Sequence, residues 1–314
     1  MKLISIVTPC YNEEGNVEEL HTQIVQIMSE LPGYGFEHIY IDNASTDGTV
    51  PILRRLAATD SRVKVILNTR NFGHIRSPFH GIRQAHGDAV ICMSSDLQDP
   101  PSLIKDFVRK WEEGFKVVMA VKTRSKETRL LFLLRKLYYR VLRKLSEVPL
   151  VENFTGTGLF DQQVVQILRK IDDPYPYFRG LIADIGFEAA KVEFMQPTRK
   201  RGITKNNLYT LYDMAMAGFT NNTKIPLRLA TIVRFLTAAI SFLIKLFYLV
   251  YKLIYWQDFA LGLAPMVVGL FFFGGIQLFF LGIVAEYVGA IYTQVQHRPL
   301  VIEKERINFI SEDQ

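Results

Sequence analysis

Two long apolar runs near the carboxyl end set the tightest limit on this chain. Leu229–Tyr251 and Ala260–Ala285 are each of the length that crosses a bilayer core. As a helix the first would extend about 34 Å. It carries Arg234 and Lys245, and each cation costs about 2.5–3.5 kcal/mol at the bilayer centre. The two are spaced to return to nearly the same helical face, so both are expected to point into protein or toward headgroups. The second run has no charge and carries Gly269, Gly274, Gly275 and Gly282, which permit close helix approach.

Cations flank this pair. Lys224 and Arg228 precede the first run, His297, Arg298, Lys304 and Arg306 follow the second, and Trp256–Phe259 between them has none. The positive-inside rule then puts both ends in the cytoplasm. The expected organisation is a cytoplasmic domain over 1–223, a multi-pass plasma-membrane domain over 224–290 and a cytoplasmic tail over 291–314. The chain's net charge of +6 would suit nucleic acid or anionic lipid. No nucleic-acid module is present, and the cations gather beside apolar stretches, so membrane is the expected partner. Thr128–Leu145 adds an amphipathic segment, with Leu130, Leu134, Leu137, Val141 and Leu145 at helical spacing and Lys136, Arg140 and Arg143 on a separate face. It is expected to lie on the lipid surface; a core helix with a solvated face is the alternative. Leu208–Phe219 is a weaker candidate of the same kind. The amino terminus runs directly into a strand, so no signal peptide is expected.

The first two thirds alternate short apolar runs with helical patterns. Leu3–Thr8, Phe36–Ile41, Val63–Leu67, Ala89–Met93 and Val117–Val121 read as strands. Helices are expected from Asn12-Glu13-Glu14 to about Glu30, after Thr49 to about Thr59, over Ser77–Ala85, from near Ser102, and over Gln162–Lys170. Lys191–Met195 is strand-like. Alternation with short connections implies a mainly parallel sheet with flanking helices. Cys10 and Cys92 both fall in strands and read as buried thiols. No Gly-x-Gly-x-x-Gly or Walker loop occurs, which argues against a dinucleotide or an ATP-hydrolysing site.

Each strand ends in polar, turn-forming residues at one edge, where open α/β sheets bind ligands. Ser94-Ser95-Asp96-Leu97-Gln98-Asp99-Pro100-Pro101 is the densest such ending. Two carboxylates and an amide oxygen within four residues suit Mg²⁺ or Mn²⁺. The plainer alternative is that Asp96 and Asp99 cap the helix near Ser102.

Pro9-Cys10-Tyr11-Asn12-Glu13-Glu14, Asp42-Asn43-Ala44-Ser45-Thr46-Asp47-Gly48-Thr49, Asn71-Phe72-Gly73 and Asp96-Leu97-Gln98-Asp99-Pro100-Pro101 resemble glycosyltransferase family 2. More narrowly, they are similar to its polyprenyl-phosphate glycosyltransferases, and the likeness runs through the apolar tail. The resemblance implies a GT-A type sheet followed by two transmembrane helices and a short C-terminal strand. It implies an inverting transfer from a nucleotide-diphosphate sugar, a UDP-sugar by expectation, to undecaprenyl phosphate. Pro9, Tyr11, Asn12, Glu13, Asp42 and Asn71 would then hold the nucleotide sugar, with Asp96 and Gln98 on the metal. Asp96 and Arg179 are the expected catalytic residues. The segment Arg199-Lys200-Arg201-Gly202-Ile203-Thr204-Lys205 looks like the family's phosphate loop, which assigns Arg179, Arg199, Thr204 and Lys205 to acceptor phosphate or donor pyrophosphate. Arg298–Glu303 reads as a short strand able to pair with an exposed sheet edge, often a neighbour's; relatives form tetramers through this region, so a homo-oligomer is expected.

Two departures from the family pattern stand out. Ser94 replaces the first Asp of Asp-x-Asp. The usual Thr-Gly-Asp falls in Thr155-Gly156-Thr157-Gly158, where Gly156 or Thr157, depending on alignment, takes the place of the base carboxylate, while Asp161 is expected to cap the helix after it. A lipid phosphate monoester has a second pKa of roughly 6, so the acceptor arrives already anionic and needs little help from a base. The rival reading is a degenerate transferase serving as a membrane scaffold or sugar-nucleotide-binding partner.

Overall fold

The structure is a computed structural model that describes residues 1–123, 151–197, 216, 223–255 and 263–309. Eight described strands form one sheet: β1 (Lys2–Cys10), β2 (Tyr34–Asp42), β3 (Val63–Asn68), β4 (Ala89–Cys92), β5 (Val117–Lys122), β6 (Phe154–Asp161), β7 (Ala189–Phe194) and β8 (Glu303–Ile307), in the order β7-β5-β6-β4-β1-β2-β3-β8. The pairs β1–β2, β1–β4, β2–β3 and β5–β7 are parallel. The described helices are α1 (Val17–Ser29), α2 (Thr49–Thr59), α3 (Gly73–Gln84), α4 (Leu103–Glu112), α5 (Gln162–Lys170), α6 (Phe178–Ile185), α7 (Ile225–Ile254) and α8 (Leu263–Val295). This is the expected mainly parallel sheet with flanking helices, two long apolar helices and a C-terminal strand.

The central strands are buried almost without interruption, as strands covered on both faces must be. On one face Ile4, Ile6 and Ile91 pack with Leu20 and Ile24 of α1 and Phe107 and Trp111 of α4. On the other, Val7, Ile39 and Ile41 meet Phe79 and Ile82 of α3, Val164 and Leu168 of α5 and Ile182 of α6. Each such side chain contributes about 1.5–3 kcal/mol on burial.

Three boundaries differ from expectation, each for a physical reason. Strand β1 continues through Pro9 to Cys10. Its pairing with β4 stops at Val7 opposite Cys92 while its pairing with β2 runs on to Cys10 opposite Asp42, so the missing proline N–H costs no ladder bond. Helix α1 begins at Val17, because Asn12 takes a left-handed backbone (φ 56°) that no helix tolerates. Strand β6 was not anticipated. It runs antiparallel between β4 and β5, and its Gly156 and Gly158 read as loop in the sequence. Gly158 is required there, since a Cβ would lie 2.3 Å from the Val118 carbonyl oxygen.

Helix α5 has the expected bounds, and Asp161 caps it by accepting from the Gln163 amide at 3.0 Å. Helix α4 has Ser102 at its cap position with no side-chain capping bond, which removes the cap reading of Asp96 and Asp99. Cys10 and Cys92 are free and buried, as expected.

Helices α7 and α8 contain spans, Ile225–Ile254 and Gly269–Val295, long and apolar enough by length and composition to cross a membrane. Phe235, Phe247, Phe271 and Leu278 stand exposed on them, a surface that water disfavours and lipid accepts. Tyr287 of α8 donates to the Thr223 carbonyl at 2.7 Å, just before α7. The tail then crosses to the far sheet edge. Leu300 and Val301 are buried in the core, and β8 pairs antiparallel with β3 of the same chain. The expected strand over 298–303 is thus shifted to 303–307. The segments 128–145, 198–215 and 217–219 lie outside the described residues, and with them the amphipathic stretches (apart from Met216) and Arg199, Thr204 and Lys205.

Candidate active site

The carboxyl ends of β2, β1 and β4 lie side by side where the order of strands reverses about β1, the position where doubly wound sheets open a crevice. Immediately after these ends, Ala44 (φ 61°), Asn12 (φ 56°) and Leu97 (φ 57°) all adopt left-handed backbone. Such residues cost about 1–3 kcal/mol each and persist where surrounding bonds over-determine them.

Those bonds are present. The Asn12 amide donates to Ser45 Oγ at 2.8 Å, and Asn12 Oδ1 accepts from the Thr46 amide at 2.8 Å. The Glu13 amide donates to Thr49 Oγ1 at 2.9 Å, and Glu13 Oε2 accepts from Asn16 at 2.6 Å. Asp42 is 1% exposed and accepts from the Ser45 amide (2.9 Å) and hydroxyl (2.5 Å). Burial pushes the Asp42 carboxyl above its ordinary value, against the pull of these bonds. Burial, followed by the neighbouring Asp42 charge, raises the Cys10 thiol well above the usual range. Tyr11 is half-buried on the same turn. Asn71 Oδ1 accepts from the Gly73 amide at 2.8 Å, while Asn43 ties that turn back to β2 by donating to the Gly73 carbonyl at 3.0 Å and accepting from the Phe72 amide at 3.0 Å. The structure therefore brings Pro9, Tyr11, Asn12, Glu13, Asp42 and Asn71 to one edge. In this geometry Asn12, Glu13 and Asp42 are also the stitches between the β1 and β2 endings. Asn43, absent from the expected site residues, fastens the third.

After β4, Asp96 Oδ1 accepts from Ser94 Oγ at 3.0 Å and from the Gln98 amide at 3.1 Å. Asp96 Oδ2 and the Gln98 side-chain amide take no hydrogen bond from the described residues. These are hard oxygen donors left available. No group of three His, Cys, Asp or Glu side chains is assembled among the described residues. A donor set this sparse fits a cation that keeps water and takes oxygens from a substrate phosphate, as Mg²⁺ and Mn²⁺ do. It does not fit a dedicated protein cage.

Asp99 is 4% exposed. Its Oδ2 accepts from Thr157 Oγ1 at 2.5 Å and lies 3.0 Å from Ser94 Oγ, while its Oδ1 is buried with no partner. Burial raises its carboxyl above the ordinary range, partly offset by the Thr157 and Ser94 bonds. Thr157 reaches this point because β6 pairs with β4, Gly158 opposite Cys92. Arg179, the second residue of α6, donates to the Thr155 carbonyl at 3.3 Å, so it stands at the same strand. The sequence offers Thr157 only as one of two positions, with Gly156, where the family carboxylate is missing. Its bond to Asp99 depends on a strand pairing that no local pattern announces.

The chain matches the family described as glycosyl transferase family 2 over residues 5–173. It is 33% identical over 299 residues to the glycosyltransferase YkcC of Bacillus subtilis, covering 95% of this chain and 92% of that one. It is 32% identical over 302 residues to the bactoprenol glucosyl transferase of Shigella phage SfV, covering 96% and 98%. Glucosyl-3-phosphoglycerate synthase from Mycobacterium tuberculosis, solved with Mn²⁺, uridine diphosphate and phosphoglyceric acid, aligns with 20% identity and a TM-score of 0.49 over 70% of this chain and 76% of that one.

Proposed function

The chain belongs to glycosyl transferase family 2 and is a glycosyltransferase; on that premise we propose that it moves one sugar from a UDP-sugar to undecaprenyl phosphate at the cytoplasmic leaflet, with inversion. The relative from phage SfV is named for transfer involving bactoprenol, and helices α7 and α8 have the length and apolarity to hold the domain at such an acceptor.

The observation that carries the acceptor class is the hydrogen bond from Thr157 to Asp99. No carboxylate base stands in the segment where relatives often carry one, even those acting on a lipid phosphate, and the Thr157 hydroxyl there is already committed to a buried partner. A sugar hydroxyl acceptor would need that base. A phosphate monoester, largely dianionic at pH 7, does not. One phosphate oxygen attacks the anomeric carbon, the bond from that carbon to the diphosphate oxygen breaks, and the nucleoside diphosphate leaves with the electron pair. A single displacement inverts the anomeric centre.

Pro9, Tyr11, Asn12, Glu13, Asp42 and Asn71 take the nucleotide in this reading. Arg179, with Arg199, Thr204 and Lys205 in the basic loop, takes phosphate and orients the attacking oxygen. Asp96 and Gln98 would hold Mg²⁺ or Mn²⁺, whose charge offsets that developing on the departing diphosphate.

The test is sugar transfer by purified full-length protein in detergent, given undecaprenyl phosphate and a panel of UDP- and GDP-sugars. Labelled lipid from one donor, lost with EDTA and in Asp96→Asn, is the expected result. Nucleotide-sugar binding without transfer to any lipid phosphate would overturn the reading in favour of a scaffold role.

A further inference from the structure

The chain carries a hydroxyl at Ser94, where the family pattern carries a carboxylate, and another at Thr157, in the segment that lacks the pattern's second carboxylate, and both hydroxyls converge on one buried side chain. Thr157 Oγ1 donates to Asp99 Oδ2 at 2.5 Å. Ser94 Oγ lies 3.0 Å from that same oxygen and 3.0 Å from Asp96 Oδ1. The other Asp99 oxygen is buried without a partner. A carboxylate so deeply placed is expensive unless it serves its neighbours, and it does not cap α4. Ser94 has a single hydroxyl hydrogen to divide between two carboxylates. The cluster is therefore short of one donor, and its two carboxylates, with Lys122 as the positive charge acting on Asp99, lie beside the open Asp96 Oδ2.

We propose that Asp99, fastened by Thr157 and acting through Ser94 on Asp96, is the positioning residue of the cation site and supplies the second negative charge that position 94 lacks. The inference rests on the reading of Asp96 and Gln98 as cation ligands. The carboxylate lost from position 94 is replaced by one five residues on, held from behind. A charge acting from the protein interior is screened less than one on the surface. Groups that orient a metal ligand typically affect affinity by 10–100-fold.

The experiment is a Mn²⁺ titration of full-length protein in detergent, without sugar donor, read by electron paramagnetic resonance of free Mn²⁺ and paired with thermal melting. Asp96→Asn should abolish binding. Asp99→Asn should weaken it 10–100-fold. Thr157→Val should weaken it several-fold, and Thr157→Ser should restore it. Adding Ser94→Asp to Asp99→Asn should recover most of the lost affinity, which a purely structural clamp would not allow. Folded Asp99→Asn protein within twofold of wild type would overturn the proposal. Should that variant fail to fold, equal affinities in Thr157→Val and Thr157→Ser would overturn it. Wild-type binding that Asp96→Asn removes, with no change on altering residues 99 and 157, defeats this inference alone. No Mn²⁺ binding by wild type defeats the cation reading with it.

Discussion

His80 Nε2 and Glu303 Oε1 lie 2.5 Å apart, joining helix α3 to the first residue of the C-terminal strand across more than two hundred residues of chain. Arg306 donates to the same carboxylate and, at 2.8 Å, to Gln84 of α3. Burial works against ionisation of Glu303, but the bonds from His80 and Arg306 outweigh it and bring the carboxyl down to about 2. The stabilisation is complete above the unfolded value near 4.5 and is lost as pH falls from there toward about 2. Glu303→Gln should weaken tail docking by about 1.5–3 kcal/mol, the worth of hydrogen bonds to a charged group. Hydrogen exchange over 303–307 at pH 7 would show it as faster opening of β8 with the core strands unchanged.

Asn12 performs two tasks that substitution can separate. Its left-handed backbone sets the turn after β1, and its side chain holds the Thr46 amide at 2.8 Å. Asn12→Gly keeps the turn and loses the clamp, so the donor KM should rise modestly, by severalfold. Asn12→Ala loses the clamp and strains the backbone by roughly 1–2 kcal/mol, so its KM should rise further and its melting temperature fall. Equal donor KM values in wild type and both variants would remove this turn from the nucleotide site.

Gly158 sits where β6 presses on β5. A Cβ would meet the Val118 carbonyl oxygen at 2.3 Å, and backbone cannot swing aside as a side chain can. Gly158→Ala should therefore destabilise the fold by about 1–3 kcal/mol or more, seen as a lower melting temperature. Because Thr157 is the next residue, transfer activity should fall in the surviving folded protein as well. The expected contrast is Gly33→Ala, where a Cβ meets nothing within 4 Å and stability should barely change.

What could be read in the sequence follows from how local each signal is. The end of β2 at Asp42, the polar turn that carries Asp96 after β4, and the cap at Asp161 are written in a few adjacent residues, and the structure has them close to where the residues indicate. The bilayer-length runs are equally plain because mean apolarity survives any error of register. Strand β6 was hidden by Gly156 and Gly158, whose presence reflects a close contact with β5 rather than a turn. Strand β8, Glu303-Lys304-Glu305-Arg306-Ile307, has four charges in five residues, and the more apolar 298–303 just before it is the more strand-like in sequence. The charged segment is a strand because an edge position tolerates charge and because Arg54 of α2 pairs with Glu305 at 2.5 Å. The Thr157–Asp99 bond was beyond reach for the same reason as β6: it is a product of pairing between distant segments.

The buried histidine pair gives the domain a one-sided response to acid. His38 is fully buried on β2, with Thr8 Oγ1 at 3.0 Å from one ring nitrogen, His21 Nδ1 at 3.2 Å from the other, and the Tyr40 ring tilted against it at 4.0 Å between centroids. Burial lowers the pKa of His38 well below its ordinary value, and His21 repels its charge further; Asp60, 3.5 Å from His21 Nε2, opposes this only in part. Burial lowers His21 too. The native state thus keeps both rings neutral, while the unfolded chain protonates them near pH 6.5. Below that pH the unfolded state binds more protons, so stability must fall as pH drops. Melting temperature should hold between pH 8 and 7 and decline from about 6.5 downward. His38→Gln keeps hydrogen-bonding capacity without a titrating ring and should flatten that decline even if it lowers the plateau. An unchanged slope between pH 6.5 and 5.5 in His38→Gln would assign the acid sensitivity to other groups.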